Sequence, residues 1–300
     1  MKQAWRVVVL LVAVCMLGGG FAQALAAEGG GGGHRATREA KTAILLVAFG
    51  TSYATARGPL LAFEEKVRAK FPGVEVRWAW SSHQIRQMEG ADDVDSPAEA
   101  FARLMEDRFT HVAVQSLQTI PGQEFHMLVE AARRFEGMPK GLKRITVGLP
   151  LLGAPEDLEA AAAALLAGLP KARTAKEAVV FMGHGTHHAG NAMYPALQYY
   201  LWRQDPLAFL GTVEGSPSLD DIVVDLARHK PAKVWLLPFM AVAGDHANND
   251  MAGDEEDSWK SVLAAKGYAV ETVLAGTLEN AGLVDLWLAH LDEALEALRQ

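Results

Sequence analysis

Three stretches decide the reading: Val179-Val180-Phe181-Met182-Gly183-His184-Gly185-Thr186-His187-His188, Gly211-Thr212-Val213-Glu214-Gly215-Ser216, and Pro238-Phe239-Met240-Ala241-Val242-Ala243-Gly244-Asp245-His246-Ala247-Asn248-Asn249-Asp250. Each belongs to an apolar run of strand length that breaks at glycine. Each places a metal-capable side chain at or just past the strand end. In a parallel α/β sheet, ligands collect outside the carboxyl ends of the strands. Three neighbouring strands would then bring His184, Glu214 and His246 to one cleft. Two imidazoles and a carboxylate suit a first-row divalent ion.

Working outward, the same alternation of strand and helix fills the chain. Strands are predicted at 42–49, 74–80, 111–117 and 144–152, and again at 178–182, 208–213, 234–239 and 269–274. Helices are predicted from Pro59, where Leu60, Phe63, Val67 and Phe71 share a face, and at 96–108, 122–135 and 155–169. In the second half they fall at 192–203, 219–228, 257–265 and 280–298. Strand–helix units in series call for parallel, doubly wound sheets. The last helix carries Leu283, Trp287, Leu291, Ala294 and Leu298 as a core-facing stripe.

The halves also echo each other. Ala48-Phe49-Gly50-Thr51-Ser52 answers Met182-Gly183-His184-Gly185-Thr186. Thr119 to Glu124 answers Val242 to His246, and Gly148 to Gly153 answers Val273 to Gly276. The expected architecture is two similar α/β lobes, 42–172 and 173–300, facing each other across an interdomain cleft of the kind that holds ligands.

Composition narrows the partners. The chain has 300 residues, 50% of them hydrophobic, and a formal charge of −8, which argues against nucleic acid as the main partner. Lys2 and Arg6, the apolar run Val7 to Leu17 and Ala24-Leu25-Ala26 form a signal-peptide pattern over residues 1–26. Its apolar core is too short for an ordinary membrane span, so the processed chain is expected in the periplasm without a stable membrane span. Residues 27–41, with the run Gly29 to Gly33, read as a flexible tether. Cys15, the only cysteine, lies in the segment to be removed, so no thiolate is expected as ligand or nucleophile. No Gly-x-Gly-x-x-Gly follows the first strand, and neither a P-loop nor Gly-x-Ser-x-Gly is present. Nucleotide-dependent and serine-hydrolase readings therefore lack their parts.

Individual residues carry further expectations. His184 and His246 can act as ligands or bases near neutral pH, and Asp245 is placed to orient a neighbouring ring. Glu214 buried unpaired would cost several kcal/mol, so it should face a metal, a base or water. His187 and His188 either assist metal uptake or are simply exposed. Asp245 to Asp257 resembles a calcium loop but has Ala247 at its third position. Asp254, Glu255, Glu256 and Asp257 read instead as an N-cap and first turn before Trp259.

Gly183-His184-Gly185-Thr186, Val213-Glu214-Gly215 and Ala243-Gly244-Asp245-His246-Ala247-Asn248-Asn249-Asp250-Met251 resemble the anaerobic sirohydrochlorin cobaltochelatase family of the CbiK type. Phe49 to Ser52 and Gln115 to Gly122 resemble it too. The resemblance implies a bilobal class II chelatase fold and ATP-independent insertion of Co²⁺, with Fe²⁺ as an alternative metal, into sirohydrochlorin. It places His184, Glu214 and His246 at the metal. Neutral imidazoles would hold the ion, and Glu214 would complete the shell or accept a pyrrole proton. Rivals are a ferrochelatase working towards sirohaem or haem, and a periplasmic metal or haem carrier without turnover. Arg57, Arg86 and Arg203 are candidates for the substrate's carboxylates. His126, on the outer face of its helix with Glu130 and Arg133, is either a solvated histidine or an axial haem ligand at a subunit contact. A homo-oligomer is left open.

Overall fold

The computed structural model describes residues 39–88 and 93–300. The signal-peptide reading and nearly all of the tether lie outside the described residues.

Among the described residues, eight strands form two four-stranded sheets in which every pairing is parallel. In the first, β1 (Thr42–Ala48), β2 (Glu75–Trp80), β3 (His111–Ser116) and β4 (Arg144–Gly148) lie in the order β2-β1-β3-β4. In the second, β5 (Ala178–Gly183), β6 (Ala208–Thr212), β7 (Lys233–Pro238) and β8 (Ala269–Thr272) lie in the order β6-β5-β7-β8. The second half therefore repeats the topology of the first. The strands read as unbroken apolar runs because helices cover both faces. Ile44, Leu46 and Ala48 of β1 point to one cluster, while Ala43, Leu45 and Val47 point to another.

The helices are α1 (Arg57–Lys70), α2 (His83–Gln87), α3 (Pro97–Glu106), α4 (Gln123–Phe135), α5 (Pro155–Ala167), α6 (Met193–Gln204), α7 (Leu219–His229), α8 (Trp259–Ala265) and α9 (Ala281–Arg299). On the outer faces, α3 and α4 cover the first sheet, and α7 and α8 cover the second. The inner faces share one apolar cluster. It runs from Ile44 and Phe63 through Leu158 and Ala162 of α5 and Leu197 and Leu201 of α6 to Phe181 and Phe239.

The predicted stripe of α9 is buried, but it packs chiefly on β3, β4 and α5 of the first half rather than on the second sheet. Trp287 meets Phe63 edge-on at 6.4 Å. Thr146 Oγ1 donates to Ala294 O at 2.7 Å, and Lys70 pairs with Asp292 at 3.1 Å. His290 and Asp157, both almost wholly buried, meet at 3.1 Å between α9 and α5. The last helix of the chain thus returns to the sheet formed first.

Local starts and stops differ from expectation where hydrogen bonding overrules pattern. β4 ends at Gly148, four residues early, because Leu151 and Leu152 turn their amides to Gln118 O and Thr119 O. The short α2 escaped the periodicity reading and is started by Ser82, whose hydroxyl accepts the Ile85 N–H. The acidic run 254–257 is not the cap of α8. Ser258 is, accepting from Ser261 N, and Asp254 pairs with Lys260 at 2.7 Å. Ser258 wins because its hydroxyl reaches the third amide from an extended backbone, the usual geometry of a helix N-cap.

Candidate metal-insertion site

The central strand β5 ends in Gly183, and the chain turns at His184-Gly185. Gly185 has φ +81°, and a Cβ there would lie 2.7 Å from Gly215 N and 2.8 Å from Thr212 Cβ. Only glycine permits both the left-handed turn and this approach. Beyond the strands, Val213 N donates to Gly183 O (3.0 Å) and Glu214 N to His184 O (2.8 Å), which extends the β5–β6 ladder. Asn191 ties the two loops again, accepting from Thr186 N at 3.1 Å and donating to Ser216 O at 2.7 Å. Beneath them the Tyr194 phenol lies under Gly183 and Gly185, its hydroxyl accepting the Gly185 N–H at 3.4 Å. Burial pushes that phenol up to about 12.

On the other flank, β7 leads through Gly244-Asp245 to His246, which opens a π-helical turn at Ala247–Met251. Single π turns of this kind gather at functional sites. Here the turn sets His246 and Asp250 side by side, with Nδ1 and Oδ2 2.6 Å apart. Asp250, not Asp245, therefore orients the ring. Asp245 instead accepts from the Tyr53 hydroxyl (3.1 Å) and from Asn249 (2.8 Å). Tyr53 follows β1, so this bond joins the loops of the two halves. Burial, followed by the bond to Asp245, raises its phenol above the ordinary value. Gly190 packs as closely on the other half, where a Cβ would lie 2.5 Å from Pro121 O.

His184 and His246 meet edge to face with ring centroids 4.6 Å apart. The Nδ1 of His184 faces Gly185 O at 2.9 Å, as that of His246 faces Asp250. These acceptors assign the proton of each neutral ring to Nδ1 and leave both Nε2 atoms as metal donors. Glu214 lies alongside, Oε2 3.9 Å from His184 Nδ1, with its side chain 53% exposed. The three residues are thus neighbours, yet among the described residues no three acidic or imidazole side chains already close on one point. Glu214 stands beside the rings without closing on them, and its side chain is exposed. His184 and His246 are themselves part-exposed, so the site is open to solvent.

His126 sits elsewhere, exposed on α4, with its ring 5.0 Å from that of His188 and Nδ1 against Gly122 O at 2.8 Å. Arg57 and Arg86 stand just beyond the carboxyl ends of β1 and β2, on the side of the sheets that carries the site. Arg203 does not. It ends α6, which runs back along the sheet for about 18 Å at 1.5 Å per residue, and so lies at the opposite edge beside Tyr199.

The chain matches the family described as Cobalt chelatase (CbiK) over residues 42–296. It belongs to that family. Among its relatives is the sirohydrochlorin cobaltochelatase CbiKC of Nitratidesulfovibrio vulgaris, 46% identical over 263 residues, 86% of this chain and 92% of the relative. The sirohydrochlorin cobaltochelatase of Salmonella typhimurium is 36% identical over 260 residues, covering 85% and 97% of the two chains. The CbiK fold seen here is shared with SirB from Bacillus subtilis, solved with Fe³⁺, at a TM-score of 0.56 and 17% identity, covering 85% of this chain and 95% of that one. The sirohydrochlorin chelatase SirB of Bacillus subtilis subspecies spizizenii, in complex with cobalt, matches at 0.55 and 15%, covering 86% and 97%. Asp250, Tyr53 and Asn191 are the site residues that sequence reasoning passed over. The four-residue spacing of His246 and Asp250 was the only available signal, and it speaks only if the segment is known to be helical.

Proposed function

We propose that this CbiK-family chain is a sirohydrochlorin cobaltochelatase that inserts Co²⁺ without ATP. The observation that carries the reading is the facing pair His184 and His246, each with Nδ1 tied to an acceptor and Nε2 left for an ion, beside an exposed Glu214. Family membership supports the substrate class. Co²⁺ is a substrate here, held by the two Nε2 atoms and the Glu214 carboxylate. A shell of three protein donors leaves positions for water and then for macrocycle nitrogens. Insertion releases two pyrrole protons as the dication enters, and Glu214, beside the His184 ring, is the group to accept one. The tetrapyrrole lies between the two sheet-bearing halves, α9 counting with the first, and Arg57 and Arg86, the latter 3.5 Å from Glu99, are the candidates for its carboxylates. Fe²⁺ is accepted at the same ligands, because imidazole and carboxylate donors do not separate the two ions.

The signal-peptide pattern of residues 1–26 supports export to the periplasm. Mass spectrometry of the chain from membrane-enclosed fractions should find it beginning at Ala27, and an uncleaved Met1 would refute export. The exposed ring of His126, with Nδ1 against Gly122 O and His188 beside it, supports haem binding through Nε2 at a contact between copies. A Soret band that survives His126→Ala would refute that role. The main test is anaerobic turnover of residues 27–300 with sirohydrochlorin and Co²⁺ or Fe²⁺, followed by absorbance. Insertion abolished by His184→Ala and by His246→Ala is the expected result. Tight binding without insertion of either metal would make the protein a carrier.

A further inference from the structure

The structure separates the two histidines that follow Thr186. His188 is engaged: its Nδ1 accepts the Gly190 N–H at 2.9 Å, and its ring lies against His126. His187 is exposed and lines an open cleft of about 720 Å³ together with Thr186, Asn191, Glu214 and Ser216. The walls of this cleft are held apart at a set width by the Asn191 bonds to Thr186 and Ser216. The strand order β6-β5-β7 puts Glu214 on one flank of His184 and His246 on the other. The cleft therefore opens on the flank away from His246. Glu214 belongs to both places: its carboxylate lines the cleft, and Oε2 is 3.9 Å from the His184 ring.

We propose that His187 and Glu214 form a transit site at which a hydrated divalent cation docks before Glu214 carries it to His184 and His246. One imidazole and one carboxylate are suitable donors for a first-row ion. Two protein donors leave most of the coordination shell to water, so the ion is held weakly and exchanges readily. Transfer needs only rotation of Glu214, whose side chain is more exposed than those of His184 and His246. Moving onto the two Nε2 atoms then raises the number of protein donors, which gives the transfer its direction. The ion would reach the site from the β6 flank, leaving the side between the halves to the macrocycle. This inference rests on the chelatase reading for its purpose, but the docking itself requires no macrocycle.

The test is stopped-flow mixing of the purified protein with limiting Co²⁺, followed by the visible absorption of bound cobalt. His187→Gln should slow loading by about tenfold, the low end of what a local concentrating site contributes to an on-rate. It should reach the same final spectrum, and excess Co²⁺ should restore insertion into sirohydrochlorin with an unchanged KM for the macrocycle. His184→Ala should lose the final spectrum itself. A loading rate for His187→Gln equal to wild type would overturn the proposal. So would an altered final spectrum, which would make His187 a ligand of the terminal site. If wild type loads cobalt through His187 yet inserts none, the transit site stands and the chelatase reading falls.

Discussion

Replacing Asp250 by asparagine tests the site at its shortest side-chain bond. Asp250 Oδ2 stands 2.6 Å from His246 Nδ1, across one π turn, and fixes both the ring's orientation and its tautomer. Hydrogen bonds to charged groups contribute about 1.5–3 kcal/mol. The pair is part-exposed, with side chains 33% and 44% accessible, so solvent screening favours the lower figure. About 1.5 kcal/mol corresponds to roughly tenfold in affinity, the lower end of the effect expected for a group that orients a metal-binding histidine. Asp250→Asn keeps the shape, removes the charge and offers the ring an amide that can present either end. Co²⁺ affinity, titrated through the visible bands of the bound ion, should fall about tenfold, and the KM for Co²⁺ should rise in step. Asp250→Ala should cost more, and the urea midpoint of both variants should stay near wild type. An affinity within about twofold of wild type for Asp250→Asn, with His246→Ala abolishing binding, would refute the assignment.

Other expectations follow from the same geometry. Gly185→Ala meets both a positive φ and backbone 2.7 Å from the new Cβ, so it should lose about 2 kcal/mol or more and disturb Glu214. Urea unfolding with a parallel Co²⁺ titration reads both effects, and a wild-type midpoint would contradict the strain. The Tyr194 phenol, pushed up to about 12, keeps its proton in the folded protein when the unfolded chain, near 10, has released it. The stability held by the neutral phenol is whole below pH 10 and is lost as pH rises towards 12, roughly 3 kcal/mol across that interval. Tyr194→Phe should flatten this alkaline slope in pH-dependent denaturation, and an unchanged slope would assign it to other groups. Trp287→Ala should cost about 3–5 kcal/mol in thermal or urea unfolding, because the ring is fully buried against Phe63 of the first half. A loss below about 1 kcal/mol would mean that α9 is not fastened there.

The strand runs, the helix faces and the echo between the halves were legible from the amino-acid sequence because each depends on local pattern. Strands buried on both faces are continuously apolar, and helices show the 3.6-residue period whatever they pack against. His184, Glu214 and His246 were legible for the same reason: each follows a strand, and parallel topology sends strand ends to one edge. Pattern could not supply the partners. Asp245 is the immediate chain neighbour of His246 and Asp250 lies four residues on, yet the turn brings Asp250 to the ring while Asp245 turns to Tyr53. His187 and His188 are chemically identical neighbours, separated only by a loop that spends one on Gly190 N and leaves the other in the cleft. The amphipathic stripe of α9 announces a buried face without saying whose. Its place on the first sheet is set by complementary surfaces some 140 residues away, Thr146 and Asp157 among them. Local sequence thus determined which elements form and which edge carries the chemistry. Long-range packing alone decided which side chain each of those residues meets.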